Sequence, residues 1–162
     1  MRGEVRVNLR RIISGGQTGV DRGGLDAAMS SGLEHGGTCP AGRRAEDGSI
    51  SPKYVMEEHS SYGYPPRTAK NVADADGTLI LTLGKHVTAG TRLTAHLAQA
   101  SCKPWLAVNM ESPQAVDKAV DFVRDLDIEV LNVAGPRETK FRGIQRTTAA
   151  YLRTVINRLR EK

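Results

Sequence analysis

The chain has 162 residues, 39% of them hydrophobic and 25% charged, with a formal net charge of +5. That describes a single domain, residues 1–162, able to bury a core and too apolar for a disordered chain. No apolar run reaches the ~18 residues of a membrane span, the opening MRGEVRVNLRR lacks an apolar signal core, and Cys39 and Cys102 make no disulfide framework, so the expected location is the cytoplasm.

RRIIS (10–14) reads as a first strand, and a helix follows over about 20–31 with Leu25, Ala28 and Met29 on one face. EHGGTC (34–39) holds a second strand. Residues 40–65 show no clear element, a length typical of a functional or mobile segment. A short helix over 67–73 leads into GTLILTL (77–83), a third strand, apolar throughout as in a sheet covered on both faces. A helix over about 91–101 carries Leu93, Leu97 and Ala100, and PWLAVNM (104–110) is the fourth strand. Ser112 and Pro113 open the next helix as cap and first-turn residue, with Val116, Ala119, Val120 and Val123 facing inward. IEVLNVAG (128–135) is the fifth strand. The last helix, about 142–160, repeats Ile144, Thr148, Tyr151, Leu152, Val155, Ile156 and Leu159 at helical spacing.

This alternation predicts an α/β fold, a Rossmann-like three-layer sandwich around a mostly parallel five-stranded sheet. Ligands of such sheets bind outside the carboxyl ends of the strands. The strand exits read GGQTGVDR, CPAGRRAEDG, TLGKHVTAGT, an Asn109–Ser112 turn, and AGPRET; glycine gathers at four of them and arginine at three. The expectation is one composite crevice for an anionic, phosphate-bearing small molecule. Gly15, Gly16, Gly19, Gly84, Gly90 and Gly135 let backbone N–H groups approach the anion, aided by the helix starting near Val20. Thr18 and Thr91 offer hydroxyls, Arg22, Arg43 and Arg137 bidentate guanidinium groups, and Gln17 and Asn109 suit the edges of a base or pterin. The turns AGR and GPR aim Arg43 and Arg137; the competing reading is that both hold the long loop. Asp21 suits a ribose hydroxyl or a plain helix cap.

Neither GxGxxG nor GxxxxGK[ST] is present, which disfavours a dinucleotide dehydrogenase or a P-loop NTPase. Glu46 and Asp47 suit Mg²⁺ against a phosphate, or simply a solvated loop. Cys39 reads as a reactive thiol or as packing, and His59, His86 and His96 as loop or surface residues. The apolar stripes of the last two helices predict a homo-oligomer, first of all a dimer. The basic charge favours nucleic acid, but aromatics make up only 4% of the chain, which disfavours a base-stacking surface.

IISGGQTGVDRGGLDAA, GGTCPAGRRAEDG, RTAKNVADADGTLIL, AGTRLTAHLA and NVAGPRET resemble, in order, the motifs of the putative molybdenum carrier family, the circularly permuted YpsA-like branch of the SLOG superfamily. The resemblance spans roughly residues 12–151. It implies a Rossmann-like, oligomeric protein that binds a nucleotide or nucleotide-like ligand, molybdenum cofactor included. It places contacts on Gly15, Gly16, Gln17, Thr18, Gly19, Arg43, Gly84, Gly90, Thr91, Gly135 and Arg137. Related enzymes that cleave nucleoside monophosphates carry GGxGTxxE. Here the stretch is TAGTRLT, and Thr94 stands where the glutamate would be. A glycosidase needs such a carboxylate, so hydrolysis is the alternative to binding.

Overall fold

The computed structural model describes residues 8–85 and 87–161; His86 lies outside them. Five strands form the central sheet: β1 (Arg11–Ile13), β2 (Glu34–Gly36), β7 (Gly77–Thr82), β8 (Trp105–Asn109) and β9 (Val130–Ala134). Their order is β2-β1-β9-β7-β8, and every pairing is parallel. The expected Rossmann-like sandwich is therefore the observed architecture. The last strand in the chain is the middle strand of the sheet.

Helices α1 (Val20–Ser30), α4 (Ala115–Asp125) and α5 (Ile144–Arg160) cover one face; α2 (Tyr64–Asp74) and α3 (Ala89–Ala100) pack together over the other. The apolar stripe of α5, from Ile144 through Leu159, is buried against the sheet, α1 and α4 in one large core. The stripes read as an oligomer surface are thus spent inside the chain.

Three boundaries differ from the sequence reading. The stretch 34–39 splits at Gly37, whose φ of 116° bends the chain; Thr38–Cys39 (β3) leaves the main sheet and pairs with Glu57–Glu58 (β6). A side chain at Gly37 would run into the Ser14 backbone, so glycine is required there. Ser112 and Pro113 form a turn before α4, not its cap and first turn: the Ala115 N–H donates to the Ser112 carbonyl, and the helix starts at Ala115 with Gln114 as N-cap. The short helix begins earlier, at Tyr64, because Pro65 and Pro66 fit the first turn, where their missing N–H groups cost nothing.

The long segment is ordered by its own small core. Arg44–Ala45 (β4) and Gly48–Ser49 (β5) make a hairpin. Ala45, Ile50 and Tyr54 pack on Leu25 and Cys39. Tyr54 donates its hydroxyl to Asp26 at 2.7 Å, and burial together with that carboxylate keeps the phenol protonated.

Candidate functional site

From β1 the chain steps outward to β2, and from β7 it steps outward the other way to β8. The reversal brackets β9. Open parallel sheets leave a crevice at such a switch point, and one of about 350 Å³ lies there. Its walls come from the exits of β1 (Gly15, Gln17, Asp21) and β9 (Gly135, Arg137), from α2 (Tyr64, Arg67) and from the start of α3 (Thr88, Ala89, Gly90, Thr94), with Asn132 of β9 lining it too.

Charge is distributed unevenly in this cleft. Arg67, Arg137 and Lys140 line it against a single carboxylate, Asp21. The guanidinium carbons of Arg67 and Arg137 lie 5.4 and 4.9 Å from the centre of the Tyr64 ring, with Arg44 at 5.3 Å. Cation–π attraction to one aromatic ring offsets part of the repulsion among these three like charges. Arg67 also reaches Asp21, Nη1 to Oδ2 at 3.5 Å, while its Nε is buried without an acceptor. Burial pushes the Asp21 carboxyl above its ordinary pKa despite the opposing pull of Arg67, the Gln17 N–H, Arg22 and Arg137.

The start of α1 is not the open anion cradle that the sequence implied. The Gln17 N–H donates to Asp21 at 3.2 Å, Thr18 N–H to the Gln17 side chain at 3.1 Å and Val20 N–H to the Pro136 carbonyl at 3.1 Å. Asp21 is not the expected helix cap: Gly19 is the N-cap of α1, and Asp21, in the first turn, braces the preceding loop through the Gln17 N–H while lining the cleft. The start of α3 is different. Thr88 caps it by accepting from the Thr91 N–H, and the Ala89 and Gly90 N–H groups have no acceptor among the described residues. A Cβ on Gly90 would meet open space. Among the described residues, the helix N-terminus that leaves amides unpaired at the cleft is that of α3.

Of the expected site residues, the cleft brings together Gly15, Gln17, Asp21, Gly90, Gly135 and Arg137. The others serve elsewhere. Gly16 (φ 72°) lies against Met56 and Ile50, and Gly19 (φ 85°) against the backbone of Arg137 and Glu138. Their freedom serves loop-on-loop packing. Thr18 donates its hydroxyl to Glu46, which also accepts from Thr139 at 2.9 Å and stands 4.0 Å from Arg137. Arg22 forks onto Asp47 at 2.6 and 2.8 Å. With Glu46 and Asp47 so engaged, neither faces the cleft as a Mg²⁺ ligand, and among the described residues no cluster of three His, Cys, Asp or Glu is placed to hold a metal ion.

Arg43 is a correction as well. Its guanidinium donates to the carbonyls of Ile50, Ser51 and Tyr54 at 3.1, 2.8 and 2.8 Å. It fastens the long loop and does not line the cleft. Gly84, Thr91 and Asn109 line a second, more apolar groove of about 480 Å³ beside Trp105, on the far side of α3. There Asn109 accepts from the N–H groups of Gly84 and Glu111, both at 3.0 Å, so its amide oxygen shapes a turn. Cys39 is fully buried, and its thiol is pushed upward in pKa by that burial, which suits packing.

The sequence reading missed Tyr64, Arg67 and Asn132. The one available signal was chemical: an asparagine inside the otherwise apolar run VLNVA.

A crystal structure of a protein described as a putative molybdenum carrier protein, from Syntrophus aciditrophicus SB, matches at 37% identity with a TM-score of 0.85, covering 92% of this chain and 96% of that one. No curated protein matches. The model of the circularly permutated YpsA SLOG family matches residues 12–156. A match over nearly the whole chain shows that the chain belongs to the circularly permutated YpsA SLOG family.

Proposed function

We propose that this chain binds and carries a phosphate-bearing, nucleotide-like small molecule in the switch-point cleft, of the kind the molybdenum carrier name of its structural relative implies. The observation that carries this reading is the pairing of the Ala89 and Gly90 amides, which have no acceptor among the described residues, with the Arg67–Arg137–Lys140 cations around one cleft. Oriented N–H groups and guanidinium groups together recognise phosphate better than either alone. The cleft is also of the size small-molecule sites have. With no protein cluster suited to a metal among the described residues, a molybdenum cargo would be held through the phosphate-bearing organic part of its cofactor.

Binding is favoured over hydrolysis because Thr94 donates its hydroxyl to the Gly90 carbonyl at 3.0 Å where a glycosidase would present a carboxylate. A cytoplasmic setting agrees with two cysteines left as thiols, and among the described residues no helix is long and apolar enough to cross a membrane. Native mass spectrometry of the purified protein tests the reading. A bound mass that carries phosphorus and is lost in Arg137→Ala is the expected result. A bare chain that also gives no heat with any 5′-nucleotide overturns it.

A further inference from the structure

The cleft has a charged rim and a nearly neutral interior. Lys140, Ala89 and Gly90 are exposed, whereas Asp21 is 4% and Asn132 2% exposed. Arg67, with a side chain 12% exposed, is balanced by Asp21. A ligand matching that gradient keeps its phosphate at the rim and sends an uncharged polar head inward.

The buried side chains also define what that head must offer. Asp21 uses Oδ2 for both of its partners, and Oδ1 has no donor among the described residues. Asn132 donates from Nδ2 to the Thr78 hydroxyl at 3.3 Å, and its Oδ1 likewise has no donor. Two buried donors on cleft-lining residues, Gln17 Nε2 and Arg67 Nε, have no acceptor among the described residues. An asparagine in the middle strand of a sheet is costly unless its polar atoms are paired. Both donors and both acceptors sit on residues that line one cleft, an arrangement that a single bound partner would complete.

We propose that Asp21 and Asn132 read the head group of the ligand, and that the head is a nitrogen heterocycle with two adjacent N–H donors beside a carbonyl oxygen, the 2-amino-lactam edge shared by guanine and the pterins. The two acceptors take the ring N–H and the exocyclic amine, and the donors on Gln17 and Arg67 take the carbonyl. An adenine edge offers a ring nitrogen lone pair where Asp21 presents another, so it is rejected. This assignment rests on the cleft being the phosphate-ligand site proposed above.

Titration calorimetry with GMP, IMP, AMP and 6-hydroxymethylpterin monophosphate tests it on the intact chain. The expected order is GMP or the pterin phosphate tightest, IMP weaker for want of the 2-amino group, and AMP weaker than the best ligand by about tenfold or more, as when a polar site is left unpaired. Whichever of GMP and the pterin phosphate binds tighter names the source of the edge. Asp21→Asn, which turns a donor toward a donor, is expected to erase the preference over AMP, and Asn132→Leu to reduce it, with melting curves confirming that each variant folds. Should a variant fail to fold, the order measured on the unaltered chain decides alone. AMP binding as tightly as GMP and the pterin phosphate overturns this inference and leaves the phosphate reading standing; no binding of any of the four overturns both.

Discussion

Arg67 lies across Gly15, with its guanidinium in the space a Cβ at that position would occupy. The glycine leaves room for a cation beside Asp21 and the cleft. A methyl group here collides with the far end of a long side chain, which can swing aside at small cost. Gly15→Ala is therefore expected to keep its melting temperature within a few degrees, about 1 kcal/mol or less, while phosphate-ligand affinity falls about tenfold. Gly19→Ala is expected to do the reverse. Its φ is 85°, and a Cβ would stand 2.7 Å from the Arg137 carbonyl carbon and the Glu138 nitrogen. Backbone cannot swing aside, so this variant loses more than about 2 kcal/mol of stability. Thermal melts paired with calorimetry separate the two.

Arg43 and Arg137 look alike in the sequence and are expected to fail differently. Arg43→Ala removes three charge-assisted hydrogen bonds to loop carbonyls. It should lower stability by about 1.5–3 kcal/mol and open the long loop to proteolysis, with affinity little changed. Arg137→Ala should cost about 1.5–3 kcal/mol of ligand binding, tenfold to hundredfold, with the melting temperature nearly constant. An Arg43→Ala protein of normal stability and lost affinity would show that the loop assignment is wrong.

Asp47 provides a pH readout. The hydrogen bond from Arg22 holds its carboxyl below the ordinary carboxylate range, outweighing burial. A depressed folded-state pKa adds stability above the unfolded value, about 3.9, and loses it as the pH falls through the folded value. Asp47→Asn is expected to melt below the unaltered protein at pH 7, with the gap closing below about pH 4. The carboxylate is about half exposed, so the gap should stay under about 1 kcal/mol.

Self-association is expected at a different surface from the one the helix stripes implied. Edge strand β8 leaves Trp105 39% exposed, beside Ala107 and the second groove. An open edge with an aromatic on it invites pairing with a second copy. Light scattering is expected to give a dimer mass, and Trp105→Glu to lower it. A one-chain mass at micromolar concentration would refute the dimer.

Local pattern in the chain was enough to read the layered fold and the edge of the sheet at which the cleft opens. Periodicity is local, so the strands and helices were legible in runs such as TLILT and in the α5 stripe, and right-handed crossovers then put all five strand exits on one edge. Gly90, Gly135 and Arg137, expected at strand exits on that ground, line the cleft. What each exit residue does was a matter of tertiary contact. Arg43 and Arg137 follow similar turns, yet one is met by three loop carbonyls and the other by Tyr64 and open cleft. The amides at the start of α1 are filled by the chain's own acceptors, whereas at the start of α3 those of Ala89 and Gly90 have none among the described residues. Only the packing of α2 across the sheet brought Arg67 over Gly15, residues 52 positions apart. A hydrogen-bonding group declares its type in the sequence, but whether it is already satisfied depends on partners that the fold alone brings within reach.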